Sequence, residues 1–244
     1  YYGRCLTLPE HPAECDVAPL VEKHTFAPGN TNLCDGEHPA FSLEDMRLEM
    51  SSYGKGDIRE PFVEIVHADG STTSDFRYES YEITEKTAET ENGDLPGAYD
   101  ERGEAQRLCI RLRDHSYDLV LELHYDVYAE CDAIVRSAVL FNESKEMIRL
   151  NRLMSTQIDF DPAEYVFTTF TGAWAREMRR SDTRMEAGKH VNASYTGTSS
   201  SRANPFVMIA KTDTTEDTGE CYGCNLIYSG NHYEAAEVSG YGKM

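Results

Sequence analysis

The sequence holds a single tryptophan, few basic residues and no long hydrophobic run. Each shortage removes a class of protein. Against 43 acidic residues stand 23 lysines and arginines, a formal net charge of -20. Nucleic acids and anionic membranes are held by positive surface, so neither is an expected partner. No apolar stretch approaches the roughly 20 residues that a membrane-spanning helix needs. The first residues, from Tyr1, do not form a secretory leader. A glycine-rich phosphate loop, a nucleophile elbow and an HExxH zinc helix are all missing. These motifs therefore assign no catalytic residue, cofactor or metal.

Cysteine is present in an odd number at irregular spacing: Cys5, Cys15, Cys34, Cys109, Cys131, Cys221 and Cys224. That suits reduced thiols in a cytosol better than a disulfide framework. In Cys221-Tyr222-Gly223-Cys224, a strand would point positions i and i+3 to opposite faces. A zinc site would also need a second pair or a histidine cluster. The eight histidines are scattered, with none paired at metal-ligand spacing, and read as surface or hydrogen-bonding residues.

What the sequence has is a period of two. Leu108, Ile110 and Leu112 alternate with Cys109, Arg111 and Arg113. Leu119, Leu121, Leu123, Tyr125 and Val127 share one face of a strand; Glu122, His124 and Asp126 share the other. The run 134–141 is apolar on both sides and predicts a strand covered on both faces. Further strands are expected at 62–66, 76–83, 147–160, 165–171, 206–211, 226–229 and 235–238. Asp69-Gly70 reads as a hairpin turn between two strand-like segments. Residues 41–50 form the best short helix, with Ser42 as its cap. Residues 1–40 are rich in proline and predict loops over the sheets. Many short strands with frequent turns read as an all-β sandwich. The aromatic opening Tyr1-Tyr2-Gly3-Arg4 and the ending Gly240-Tyr241-Gly242-Lys243-Met244 suggest that partner strands lie outside the chain.

Four constellations could carry function. Trp174 sits in the glycine turn Thr171-Gly172-Ala173-Trp174-Ala175-Arg176-Glu177. Read locally, it is either a buried corner ring or a flat apolar face for a sugar. Asp159 and Asp161, two residues apart on a strand, would stand about 6.5–7 Å apart, among the separations of glycosidase carboxylates. Neither has an evident means of raising its pKa, so a solvated strand end is the simpler reading. In Gly54-Lys55-Gly56-Asp57-Ile58-Arg59-Glu60-Pro61, Asp57 and Arg59 can share hydrogen bonds across a turn. The polar loop Gly197-Thr198-Ser199-Ser200-Ser201-Arg202-Ala203-Asn204-Pro205-Phe206 could bind ligand or satisfy its own backbone.

Taken in order, several segments resemble the N-terminal β-sandwich domain of family 36 glycoside hydrolases, the bacterial α-galactosidases. They are Tyr2-Gly3-Arg4; Ser52-Tyr53 with the Gly54–Pro61 turn; Asp69-Gly70-Ser71; Asp75-Phe76-Arg77-Tyr78; Leu95-Pro96-Gly97; and Ile134-Val135-Arg136-Ser137-Ala138. Gly172-Ala173-Trp174, Gly197-Thr198-Ser199-Ser200, Asn204-Pro205-Phe206, Gly219-Glu220-Cys221-Tyr222-Gly223 and Ile227-Tyr228-Ser229-Gly230-Asn231 follow. The resemblance implies an antiparallel β-supersandwich with a loop-rich N-terminal segment and at most one or two short helices. It implies that residues 1–244 are an incomplete N-terminal domain. A catalytic (β/α)8 barrel, with two aspartates, and a C-terminal β domain would lie beyond Met244. The implied activity is retaining hydrolysis of terminal α-linked galactose from melibiose and raffinose-type oligosaccharides, in a cytoplasmic homotetramer. The resemblance gives Trp174 a sugar contact, lets Arg176 support its turn, and gives Asp57 and Arg59 a place near subunit contacts. Three positions depart from the family pattern. Lys23, beside Glu22, replaces an aspartate that reaches a neighbouring pocket; Ser201 stands where histidine is frequent; Cys221 and Cys224 replace apolar residues. A stand-alone carbohydrate-binding or assembly sandwich is the alternative from another class. Within the family, action on α-N-acetylgalactosamine or galactosyl transfer are further options.

Overall fold

The computed structural model describes residues 48–54, 59–86, 96–98, 103, 105–160 and 163–239. These residues form twelve strands, every pairing antiparallel, with one short 3₁₀ turn at Ala129–Cys131. The all-β expectation is met.

The strands assemble as two layered halves. In the first, β2 (Phe76–Glu85), β3 (Gln106–Asp114), β4 (Leu119–Tyr128) and β5 (Ala133–Asn142) form a four-stranded sheet in sequence order. The ribbon of β1 (Val63–Val66) and β6 (Arg149–Leu153) packs on it. Phe62, Val63 and Ile65 from the ribbon side meet Leu119, Leu121 and Leu123 of β4 in a dry core. Alternation in sequence produces that core directly, because every second side chain of a strand points to one face.

In the second half, β7 (Tyr165–Ala173), β8 (Arg176–Arg184), β10 (Phe206–Lys211) and β11 (Cys221–Asn225) form a sheet ordered β11-β10-β7-β8. A ribbon of β9 (Gly188–Ser194) and β12 (His232–Val238) accompanies it. Tyr165, Phe167, Val207 and Ile209 pack with Met185 and Ala236 in a second core. Glu60 joins the halves: its carboxylate accepts from Arg152 of β6, from Lys189 of β9 at 2.7 Å and from the Tyr233 hydroxyl of β12 at 2.8 Å.

Several expectations are corrected. Residues 134–141 are not covered on both faces: β5 is the edge of its sheet, and Ile134 and Phe141 are exposed. The strand buried on both sides is β4, where Val120, His124 and Asp126 on the second face are buried as well. Charge there is tolerated because it is paired. Asp126 accepts from Arg107 Nε at 2.6 Å and Nη2 at 2.9 Å, and lies 2.9 Å from Lys86 Nζ.

The predicted strand 147–160 shrinks to β6. The predicted strand 226–229 lies earlier, as β11, and Leu226 only donates its N–H to the Pro205 carbonyl at 3.0 Å. Asp69-Gly70 does turn the chain, with Gly70 N–H donating to the His67 carbonyl at 2.9 Å. The strands it separates nonetheless pair in different sheets, β1 with β6 and β2 with β3. Strands β8 and β9 have no counterpart in the sequence reading. The predicted helix 41–50 falls mostly outside the described residues, and its last three positions are not helical. The loops predicted for 1–40 also lie outside them.

Candidate functional site: an aromatic-tipped hairpin

Strands β7 and β8 are joined by Trp174 and Ala175 alone. So tight a link needs unusual backbone, and Ala175 adopts φ of 60°. Glu177 helps hold it: its Oε1 accepts the Ala175 N–H at 2.9 Å. Just before the tip, the β7–β8 register shifts between Thr171 and Ala173. Gly172 sits at that irregularity. A Cβ on it would lie 2.5 Å from the Arg176 carbonyl oxygen and 2.8 Å from the Glu177 Cα. Only glycine admits this approach of two backbones.

The result is a fixed turn carrying an open ring. Trp174 is 91% exposed. Large aromatics usually bury most of their surface, so the corner reading of Trp174 does not hold among the described residues. A flat ring in this position can stack on the C–H face of a sugar, since it is already placed and loses little freedom on contact.

The hairpin is braced from the side by residues 197–206. Asn204 donates its backbone N–H to the Phe170 carbonyl at 3.0 Å, and its Nδ2 reaches Met178 Sδ at 3.4 Å. That loop is in turn tied down. Ser199 N–H donates to the Ser229 carbonyl at 2.7 Å, and Gly197 N–H to Asn231 Oδ1 at 2.7 Å. Beneath it, Asn192 Nδ2 donates to the Asn204 carbonyl at 2.8 Å. The wholly buried His232 donates through Nε2 to the Ala203 carbonyl at 3.0 Å and faces Glu234 through Nδ1 at 2.9 Å. Burial pushes the Glu234 carboxyl above its ordinary range, and the bonds from His232 and Asn192 only partly offset it. Much of the loop's polar character thus satisfies backbone, as its local reading allowed.

The other sequence candidates sit elsewhere. Arg176 is exposed on β8 and makes no ion pair among the described residues; its backbone pairs with Ala173. Asp57 lies outside the described residues. Arg59 forms an ion pair with Asp159, whose Oδ2 also accepts the Leu48 N–H at 2.9 Å. Asp159 is therefore engaged as a structural anchor, and Asp161 is outside the described residues. A cavity of about 260 Å³ opens between the two cores beside Arg59, Asp159 and Tyr233. Trp174 does not line it.

Sequence reasoning placed Glu177 beside the ring without giving it a role, and missed Met178, Asn192, His232 and Glu234. The missed residues act across strands, where linear spacing carries no information.

These features define a β-sandwich module that carries an open tryptophan ring on a tight hairpin, with many of its described carboxylates committed to holding structure. The chain belongs to the glycosyl hydrolase family 36 N-terminal domain family, whose model matches residues 1–244. It is 38% identical over 231 residues to a probable α-galactosidase G of Emericella nidulans, covering 95% of this chain and 30% of that protein. It is 34% identical over 214 residues to α-galactosidase Mel36A of Lactobacillus acidophilus, covering 87% and 29%. Fungal relatives thus stand beside bacterial ones. Among solved structures, an α-galactosidase from Lactobacillus brevis superposes with a TM-score of 0.85 at 33% identity, over 100% of this chain and 32% of that one. The α-galactosidase AgaA A355E D478A of Geobacillus stearothermophilus, in complex with stachyose, gives 0.82 at 32% identity, over 90% and 30%. The chain spans about 30% of the length of the curated relatives it matches.

Proposed function

We propose that this chain is the N-terminal part of a retaining α-galactosidase acting on terminal α-linked galactose of melibiose and raffinose-type sugars. In this reading Trp174 forms one wall of the sugar pocket. The two catalytic aspartates lie on a barrel beyond Met244: one attacks the anomeric carbon, and the other protonates the leaving oxygen and then activates water. The 244 residues alone are then inactive. Arg176 flanks the ring, while Asp57 and Arg59 belong to a region that contributes to a homotetramer.

The observation that carries the reading is the 91% exposed ring on a turn fixed by Gly172 and Glu177. Relatives about three times as long leave ample chain to lie against it. The Geobacillus AgaA complexes with stachyose and raffinose supply the substrate class. The described cysteines, Cys109, Cys131, Cys221 and Cys224, form no disulfide, which supports a reducing compartment. Among the described residues no helix is long and apolar enough to cross a membrane.

The test is Trp174→Ala in the whole enzyme. Loss of one stacking wall should raise KM for raffinose roughly 5- to 30-fold, equivalent to about 1–2 kcal/mol. In the isolated 244 residues the same substitution should leave the melting temperature unmoved, because the ring buries almost nothing there. Unchanged kinetics would remove Trp174 from the pocket.

A further inference from the structure

We propose that Cys109, Glu122 and His124 form a zinc-binding site on the polar face of the β2–β3–β4–β5 sheet. Cys109 of β3 and His124 of β4 are directly opposed in register. Glu122 lies two residues before His124 and so shares its face. One potential ligand atom from each of the three lies within 4.8 Å of the others.

The geometry of the carboxylate favours a ligand role. Glu122 Oε1 accepts from Arg111 Nη1 at 2.8 Å, which orients the group. Its Oε2 faces His124 Nε2 at 3.2 Å. That separation is a hydrogen bond, and it fixes the ring and the carboxylate relative to each other. A carboxylate held by an arginine outside the site is the usual outer support of a metal ligand.

The histidine points the same way. Its side chain is only 6% exposed, yet Nδ1 has no hydrogen-bond partner. A buried polar atom left unsatisfied costs about 1–3 kcal/mol. An ion bound at that nitrogen would satisfy an atom that the described residues leave without a partner, while Nε2 keeps its contact with Glu122. Elsewhere on the same face the contrast is plain: Asp126 is saturated by Arg107 and Lys86 and offers nothing to a metal.

Charge is also suitable. A thiolate, a carboxylate and a neutral imidazole neutralise a divalent ion, and this donor mixture selects zinc over magnesium or calcium. The positive charge of Arg111 is offset by Glu79 at 2.9 Å and Glu143 at 3.2 Å. Binding forms a zinc–sulfur bond and releases the thiol proton to solvent, with no oxidation or reduction. Three protein ligands leave the fourth position to water. The ion would clamp β3 to β4.

The experiment uses the whole protein, reduced and stripped of metal. Zinc is titrated against a chromogenic chelator, and cobalt is titrated by its absorption. The wild type should bind a tight equivalent that Cys109→Ser removes, weakening that equivalent at least tenfold. Cobalt should give a near-ultraviolet thiolate band that Cys109→Ser also abolishes. His124→Gln should weaken zinc similarly, while Cys221→Ser should change neither readout. If His124→Gln does not fold, Cys109→Ser decides alone. Equal stoichiometry and an equal cobalt band in wild type and Cys109→Ser, including none in either, would overturn the site.

Discussion

Single residues decide whether the hairpin can present its ring. Gly172 is one of them, because a methyl group there meets backbone rather than a movable side chain. Gly172→Ala should destabilise the domain by about 1–3 kcal/mol, the usual range for forced overpacking. It should also lower sugar affinity in the whole enzyme, since the turn must shift. Urea unfolding and raffinose kinetics on the same variant read both effects. Asp126 is a second such residue. Burial pushes its carboxyl up, but the bonds and charges of Arg107 and Lys86 outweigh that and hold it below the ordinary carboxylate range. Its folded pKa is thus depressed relative to the unfolded value of about 3.9. Its contribution is present above that value and is lost as pH falls through the folded pKa. Asp126→Asn should cost about 3–5 kcal/mol near neutrality, because it removes the carboxylate that two buried cations share. The gap to wild type in urea midpoint should narrow below pH ~4.

Among the elements, legibility followed apolar alternation. Strand β4 could be read because Leu119, Leu121 and Leu123 alternate into a dry core. Truncating Leu121 to Ala should cost about 2–5 kcal/mol, the range for buried leucines, as measured by urea unfolding. Strand β8 could not be read, because Met178 is its one apolar residue and all nine positions are exposed. With no buried face there is no alternation, and Arg-Glu-Met-Arg-Arg-Ser-Asp-Thr-Arg looks like a solvated loop. What makes it a strand is the β7 backbone beside it, from Val166↔Arg184 to Ala173↔Arg176. Strand β5 misled for the opposite reason: its apolar run suggested two covered faces, but its place at the sheet edge leaves Ile134 and Phe141 open. The β7–β8 turn also depends on Glu177. Glu177→Ala should remove one charge-assisted bond, worth about 1.5–3 kcal/mol at most and less at this exposed site. The sharper readout is faster motion of the Trp174 ring in time-resolved anisotropy.

At the scale of the molecule, two layered halves meet through Glu60, and one exposed hairpin stands out from them. Trp174 is the sole tryptophan of these 244 residues, so emission excited beyond the tyrosine absorption band reports this position alone. Emission should be red-shifted, as for a ring in water, and fully quenched by acrylamide. A blue-shifted, protected signal would mean that the hairpin tip is covered within this chain and would remove the open-platform geometry. The isolated chain should also fail to release p-nitrophenol from an α-galactoside. Measurable turnover would place catalytic groups inside these residues, against the proposal. Part of the acidity that gives the net charge of -20 is used internally: Glu60, Glu79, Asp126 and Asp182 all have pKa values lowered by cationic partners.

The sequence by itself determined the all-β class, the position of the first core, the glycine-bounded turn at Trp174 and the ordered motifs of the family. These are local: a period of two, a φ that only glycine tolerates, or a short run of residues carries them without reference to distant chain. Only the tertiary structure decided that the tryptophan is open, that Arg59 pairs with Asp159, and that Cys109 meets Glu122 and His124. Pairing of β3 with β4 puts Cys109 opposite His124, 15 positions on, and packing outside the strands brings Arg59 to Asp159, 100 positions on. No linear spacing encodes which strand lies next to which.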